Sequence, residues 1–268
     1  MNYEQVFSRL WTDYTNQNPQ AKKIYDLFIQ NDEVVNNDHI ALRTFNDSRV
    51  NIDVLSKVFL NIGYKECGTY KFEEKQLFAK HFEHETIKNA PRVFISELIL
   101  ENFSPDLQDF CKKIIDNIPS NILDSDELLF SGCVWGEPSF KIYEILRTES
   151  EYAAWLYVNG FRANHFTVSV NSLKKYDTIE KVNQFLKENG FKLNSSGGEI
   201  KGTKEELLQQ SSVMAEILPF TFKEGVKNIP ACYYEFAVRY TDTNGELYSG
   251  FIAKSADKIF ESTDFYKK

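Results

Sequence analysis

The sequence is short of the residues that cross-link chains or bind polyanions. Its four cysteines, Cys67, Cys111, Cys133 and Cys232, lie far apart and form no CxxC pair, so neither a disulfide framework nor a thiolate zinc site is expected. Basic residues are in deficit: 31 Lys and Arg against 39 Asp and Glu leave a net charge of −8. With those cations scattered, the chain has no footprint for a phosphate backbone, and nucleic acid is not an expected partner. A small anion remains possible, since a pocket needs only one or two well-placed arginines. No apolar run approaches the length of a membrane-spanning helix. The opening stretch, MNYEQVFSRLWTDY, has no basic leader followed by an apolar segment, so a reduced, cytoplasmic, globular protein is expected. Nothing in the sequence speaks to its oligomeric state.

What is abundant is large rings: 22 Phe and 14 Tyr in 268 residues, which argues for a well-packed, sheet-containing structure. Apolar positions at helical spacing predict two helices over residues 3–30, broken around Asn18-Pro19. DHIALRTF (Asp38 to Phe45) alternates as a strand, and NIDVLSKVFLN (Asn51 to Asn61) returns to helical period and stops at Gly63. Strand-like runs follow, ending in PRVFISELIL (Pro91 to Leu100). Residues 104–118 and 149–157 read as helices. The order then repeats: NHFTVSV (Asn164 to Val170) is a strand, and TIEKVNQFLKEN (Thr178 to Asn189) is a helix closed by Gly190. A polar helical insertion near 203–215 and the strand ACYYEFAVRY (Ala231 to Tyr240) complete the pattern.

The two halves align. His39 precedes Gly63 by 24 residues and His165 precedes Gly190 by 25; NIGYK stands beside ENGFK, and each half ends with an acidic residue in an apolar strand, Glu97 and Glu235. We read an internal duplication of a strand–helix–strands unit: N-terminal helices over 1–36, a first module over 37–148 and a second over 149–268, in one domain.

Two of only four histidines begin the equivalent strands. A single strand histidine is usually structural, but two imidazoles and one carboxylate at corresponding places of a duplicated sheet can converge on an ion. Such a triad leaves half of an octahedron open, as iron(II) oxygenases require. Glu235 stands in an apolar run, and a buried carboxylate needs a cation, a proton or a donor; the competing partner is Arg239, on the same strand face. Glu97 is a candidate fourth ligand, second-layer acceptor or general base. Arg43 shares a face with His39, with the two Cα atoms roughly 13 Å apart. That leaves room for a short diacid whose carboxylate a guanidinium would clamp. Thr167 and Ser169 share the face of His165. His81 and His84, in KHFEHE, read as a solvated strand end.

At DHIALRTF, PRVFISEL (91–98), NHFTV (164–168) and YYEFAVR (233–239) the chain resembles the 2-oxoadipate dioxygenase/decarboxylases, or 2-hydroxyglutarate synthases, over most of its length. The resemblance implies an α+β fold related to the vicinal-oxygen-chelate superfamily, with duplicated βαβββ-type modules cupping a central metal in a mixed sheet, plus additional helices. It implies iron(II) on His39, His165 and Glu235, and Arg43 on the substrate carboxylate. The implied partners are a 2-oxo diacid and dioxygen, giving 2-hydroxyglutarate and carbon dioxide from 2-oxoadipate. Tyr248-Ser249-Gly250 is the candidate for further substrate contacts. Two other readings stay open: a glyoxalase-like isomerase or lyase with Glu97 completing a four-residue site, and a non-catalytic binding protein of the same fold.

Overall fold

A computed structural model describes residues 1–263; the last five residues of the second module lie outside the described residues. Ten α-helices are described: α1 Tyr3–Gln17, α2 Pro19–Gln30, α3 Ile52–Leu55, α4 Lys57–Leu60, α5 Pro105–Asp116, α6 Ser120–Leu123, α7 Phe140–Glu149, α8 Glu151–Asn159, α9 Ile179–Glu188 and α10 Ala253–Phe260. The strands are β1 Asn37–Phe45, β2 Tyr64–Phe72, β3 Leu77–His84, β4 Arg92–Leu98, β5 Ala163–Ser169, β6 Leu208–Ser212, β7 Ile217–Phe222, β8 Gly225–Pro230 and β9 Glu235–Arg239.

Seven strands form one mixed sheet in the order β2-β3-β4-β1-β5-β9-β6, while β7 and β8 make a separate hairpin. The pairing is symmetric about its centre. β1 lies parallel to β4 and β5 parallel to β9, and β1 and β5 meet antiparallel. This is the arrangement a duplicated strand–helix–strands unit gives when its two copies join edge to edge.

Local chemistry explains the helices that back this sheet. Asn2 and Gln5 close a reciprocal capping box at the start of α1, satisfying amides that the helix itself cannot. Val6, Leu10 and Tyr14, at four-residue spacing, are buried, and Trp11 meets Phe166 of β5 edge-on. Burying each such side chain contributes about 1.5–3 kcal/mol, so Leu10→Ala would cost about 2–5 kcal/mol. Pro19 opens α2, where its missing N–H costs nothing. The Tyr14 hydroxyl donates to the Tyr233 carbonyl and the Asn18 side chain accepts from the Cys232 amide, so α1 seats the approach to β9.

Two expectations are corrected. The helix over 51–61 breaks at Ser56 into α3 and α4, and α4 ends at Leu60, followed by a turn that runs to Gly63, whose φ of +97° suits glycine. The polar insertion near 203–215 contains not a helix but β6. Its polarity is misleading because its polar side chains are buried and paired: Gln210 to Glu235, Ser211 to Asn183 and Ser212 to Ser262. The reading also passed over α7, the β7–β8 hairpin and α10.

Candidate metal centre

Strand alternation sorts the sheet residues onto two faces. On β1, Ile40 and Leu42 enter the core backed by helices, while His39, Ala41 and Arg43 face the concave side. On β5 the concave set is His165 and Thr167, and on β9 it is Glu235, Ala237 and Arg239. The antiparallel register sets Ala41 opposite His165 and His39 opposite Thr167, and the parallel register sets Thr167 beside Glu235. His39, His165 and Glu235 therefore converge.

All three are buried, and their donor atoms lie within 4.8 Å of one another. Glu235 Oε2 is 3.2 Å from His165 Nε2, and Oε1 is 3.5 Å from His39 Nε2. The outward nitrogens are each held. His39 Nδ1–H donates to Asp38 at 2.8 Å, and His165 Nδ1 lies 3.0 Å from the Asn164 amide oxygen. These partners fix the rings so that both Nε2 atoms point inward, as ligand imidazoles require. Burial keeps both imidazoles below their ordinary range and therefore neutral, ready to donate a lone pair. Burial pushes the Glu235 carboxyl up to about 8, against the opposing donor from Gln210. An added cation reverses that shift, so the donor set fits a divalent ion.

Arg239 was the rival partner of Glu235. It is committed elsewhere: its Nε and Nη2 donate to Asp38 at 2.7 and 2.9 Å, and its Nη1 donates to the carbonyls of Tyr248 and Gly250. Burial alone would raise the Asp38 carboxyl, but Arg239 and His39 together hold it well below the usual range. It stays ionised as an acceptor for His39.

Glu97 is not part of the centre, and the duplication explains why. Glu235 stands beside Thr167, two residues beyond His165; the equivalent place beside Ala41, two beyond His39, belongs to Phe94. Glu97 pairs three positions later with Thr44 and projects from the opposite face. There it accepts from the Ile52 amide at the start of α3. Glu97 thus stands outside the cluster that a four-residue site would need.

Other predicted residues divide. The Arg43 guanidinium is buried on the concave face, 4.9 Å from the ring centres of both Tyr152 and Trp155 on α8. The Thr167 hydroxyl donates to His39 Nε2 at 3.0 Å, so it touches a candidate ligand directly. The Ser249 side chain bonds Glu83, and the carbonyls of its neighbours Tyr248 and Gly250 accept from Arg239. His81 is not solvated but 2% exposed, because it lies inward on β3 opposite Phe94 of β4.

Sequence reasoning missed Asp38, Asn164, Gln210, Tyr233 and Phe251. Asp38 and Asn164 had a signal, a polar residue directly before each histidine of the repeat. Phe251 sits edge-on to His39 with ring centres 4.9 Å apart. With Ala41, Phe94, Tyr233, Ala256 and Ile259 it encloses a cavity of about 20 Å³ against the three donors. That is room for an ion. A cleft of about 530 Å³ between residues 48–58 and 123–129 is larger, but Arg49 there is already paired with Asp47 and Asp116, so size does not locate the chemistry.

Known proteins share this architecture. A crystal structure of a Ralstonia eutropha glyoxalase-superfamily protein superposes with a TM-score of 0.75 at 19% identity, over 90% of this chain and 83% of that one, which supports the vicinal-oxygen-chelate fold. A Shewanella frigidimarina structure described as a hydrolase gives 0.88 at 50% identity, covering 93% and 97%. The crystal structure of hydroxyglutarate synthase from Oryza sativa in complex with 2-oxoadipate gives 0.92 at 35% identity, covering 98% and 92%. The chloroplastic 2-oxoadipate dioxygenase/decarboxylase of Arabidopsis thaliana is 37% identical over 97% of this chain and 77% of its own length. The family model for 2-oxoadipate dioxygenase/decarboxylase matches residues 6–245, and the chain belongs to that family.

Proposed function

We propose that the protein is an iron(II)-dependent dioxygenase that decarboxylates 2-oxoadipate, or a close 2-oxo diacid, with O2 to give 2-hydroxyglutarate and carbon dioxide. The atoms balance: the six-carbon acid plus O2 equals the five-carbon hydroxy acid plus CO2. The observation that carries the reading is the shared concave face, which sets the His39, His165 and Glu235 donors in line with the buried Arg43 guanidinium. Iron(II), when bound, supplies a chelation point for a 2-oxo acid and the capacity to activate dioxygen.

The chain's own residues do the rest. Asp38 and Asn164 present the two Nε2 atoms, and Gln210 steadies one Glu235 oxygen. Tyr152 and Trp155 hold the guanidinium of Arg43 for a distal carboxylate, which it can meet through paired N–H groups. The Tyr233 hydroxyl is buried and has no hydrogen-bond partner among the described residues, and its ring stacks on His165 with centres 4.7 Å apart. It supplies a donor between the metal end and the Arg43 end of the substrate. Phe94 and Phe251 exclude bulk water, and Phe251 with the segment behind it must shift to admit a six-carbon acid. All four cysteines are free, which accords with a reducing compartment such as the cytoplasm.

The test is anaerobic. Adding 2-oxoadipate to the iron(II)-loaded protein should produce a visible metal-to-ligand charge-transfer band, because the keto and carboxylate oxygens chelate together. Adipate, which lacks the keto group, should not. Bound iron with no band on adding 2-oxoadipate would remove this substrate.

A further inference from the structure

We propose that Cys67, His81 and Glu83 form a second cation site, suited to a thiophilic divalent ion such as zinc. It lies on the far side of Phe251 from the first centre. The spacing of cysteines along the sequence could not reveal it, because the three donors come together only through the pairing of β2 with β3. That pairing contains an irregularity between Glu66 and Gly68, a bulge that re-aims the extra residue, Cys67. His81 pairs with Gly68, and a Cβ at Gly68 would stand 2.9 Å from the imidazole. Glycine is what lets the ring lie across β2. Glu83, two residues beyond His81, shares its face.

The thiol, an imidazole nitrogen and a carboxylate oxygen lie within 4.8 Å of one another. Bonds of about 2.0–2.3 Å around a tetrahedral ion separate its ligands by about 3.5 Å, so only small side-chain adjustments are needed. The His81 ring is already positioned: Tyr70 Oη is 2.9 Å from Nδ1, and Nε2 is 3.1 Å from Glu83. Binding at Nε2 moves the ring proton to Nδ1, where the Tyr70 oxygen accepts it. This is the outer partner a ligand imidazole needs. The Cys67 side is open to solvent, which provides entry and a fourth position for water. Thiolate formation releases a proton, and because burial and Glu83 raise the Cys67 thiol, uptake should strengthen with pH. Arg92, 4.0 Å from Glu83, competes for that carboxylate and moderates the affinity.

The donor sets discriminate between ions. A sulfur ligand selects zinc or cobalt over harder cations, whereas the first centre offers only nitrogen and oxygen. The sites also touch. Phe251 packs on His81 with ring centres 5.5 Å apart and on His39 at 4.9 Å, and its amide donates to Tyr70 at 3.1 Å. An ion on His81 would thus fix Tyr70 and the ring that covers the first centre.

Titrating the metal-free, full-length protein with cobalt(II) under reducing, anaerobic conditions tests the site. Sulfur bound to cobalt gives an intense near-ultraviolet charge-transfer band that two imidazoles and a carboxylate cannot produce. The band should persist in His39→Ala, disappear in Cys67→Ser, demand more cobalt in Glu83→Gln and be displaced by zinc. Cys67 is exposed, so Cys67→Ser should fold, and circular dichroism checks that it does. No band in the wild type, or a band that survives Cys67→Ser, would overturn the proposal while leaving the first centre untouched.

Discussion

The carboxylate of Asp38 lies 2.8 Å from His39 Nδ1 and accepts from Arg239 at both of its oxygens. One buried acid therefore orients a candidate metal ligand, while the arginine that keeps it ionised also holds the carbonyls of Tyr248 and Gly250. Asp38→Asn should keep the fold but weaken metal affinity about 10–100-fold, measured by competition with a chelator. Wild-type affinity in this variant would show that the ring needs no such partner.

The buried Arg43 on the same sheet face as His39 predicts a substrate effect separable from metal binding. Arg43→Ala should raise KM for 2-oxoadipate by about 30-fold or more, the cost of losing a buried charge-assisted pair, with metal content unchanged. Tyr233→Phe should lose roughly tenfold. With a 2-oxo monoacid of the same length the Arg43→Ala penalty should vanish, because the distal carboxylate is missing, while that of Tyr233→Phe should remain. Equal losses on both substrates in Arg43→Ala would contradict the assignment of Arg43.

Metal uptake should release a proton. In the metal-free fold Glu235 titrates near about 8 while both histidines are neutral at neutral pH. At about pH 7 the ion must displace nearly one proton per site, and at about pH 9 almost none. Affinity therefore climbs with pH up to about 8 and then levels. Without metal, the stability owed to the neutral carboxyl is complete below the ordinary carboxylate range and is lost as pH rises through about 8. Calorimetry in buffers of different ionisation enthalpy reads the proton count. No release at about pH 7 would mean the carboxylate is already ionised.

Glu97 should prove structural. Its carboxylate accepts from the Ile52 amide on the face away from the metal, so Glu97→Gln should cost about 1 kcal/mol in denaturant unfolding at most. Metal content and turnover should match the wild type. A large fall in kcat would return Glu97 to the site.

The candidate triad was legible because duplication made the two histidines correspond and Glu235 stood alone as a carboxylate in an apolar run, and strand alternation then set their direction. Glu97 misled because matching acids by their place at the end of each half ignores register. A shift of an odd number of residues moves a side chain to the other face, and here the shift is three. Gln210 and Phe251 were hidden for another reason. They reach the site from a strand with a polar sequence and from a segment after the last predicted strand, and tertiary pairing alone brings them in. The commitment of Arg239 to Asp38 instead of Glu235 depended on the same pairing.

Oxygen uptake by the anaerobically iron(II)-loaded protein on adding 2-oxoadipate, with carbon dioxide and 2-hydroxyglutarate assayed in the same vial, tests the central claim most directly. One O2 consumed for each CO2 and each 2-hydroxyglutarate formed, lost in His165→Ala, is the predicted result. Iron demonstrably bound, with no oxygen consumed and 2-oxoadipate recovered intact, would contradict it.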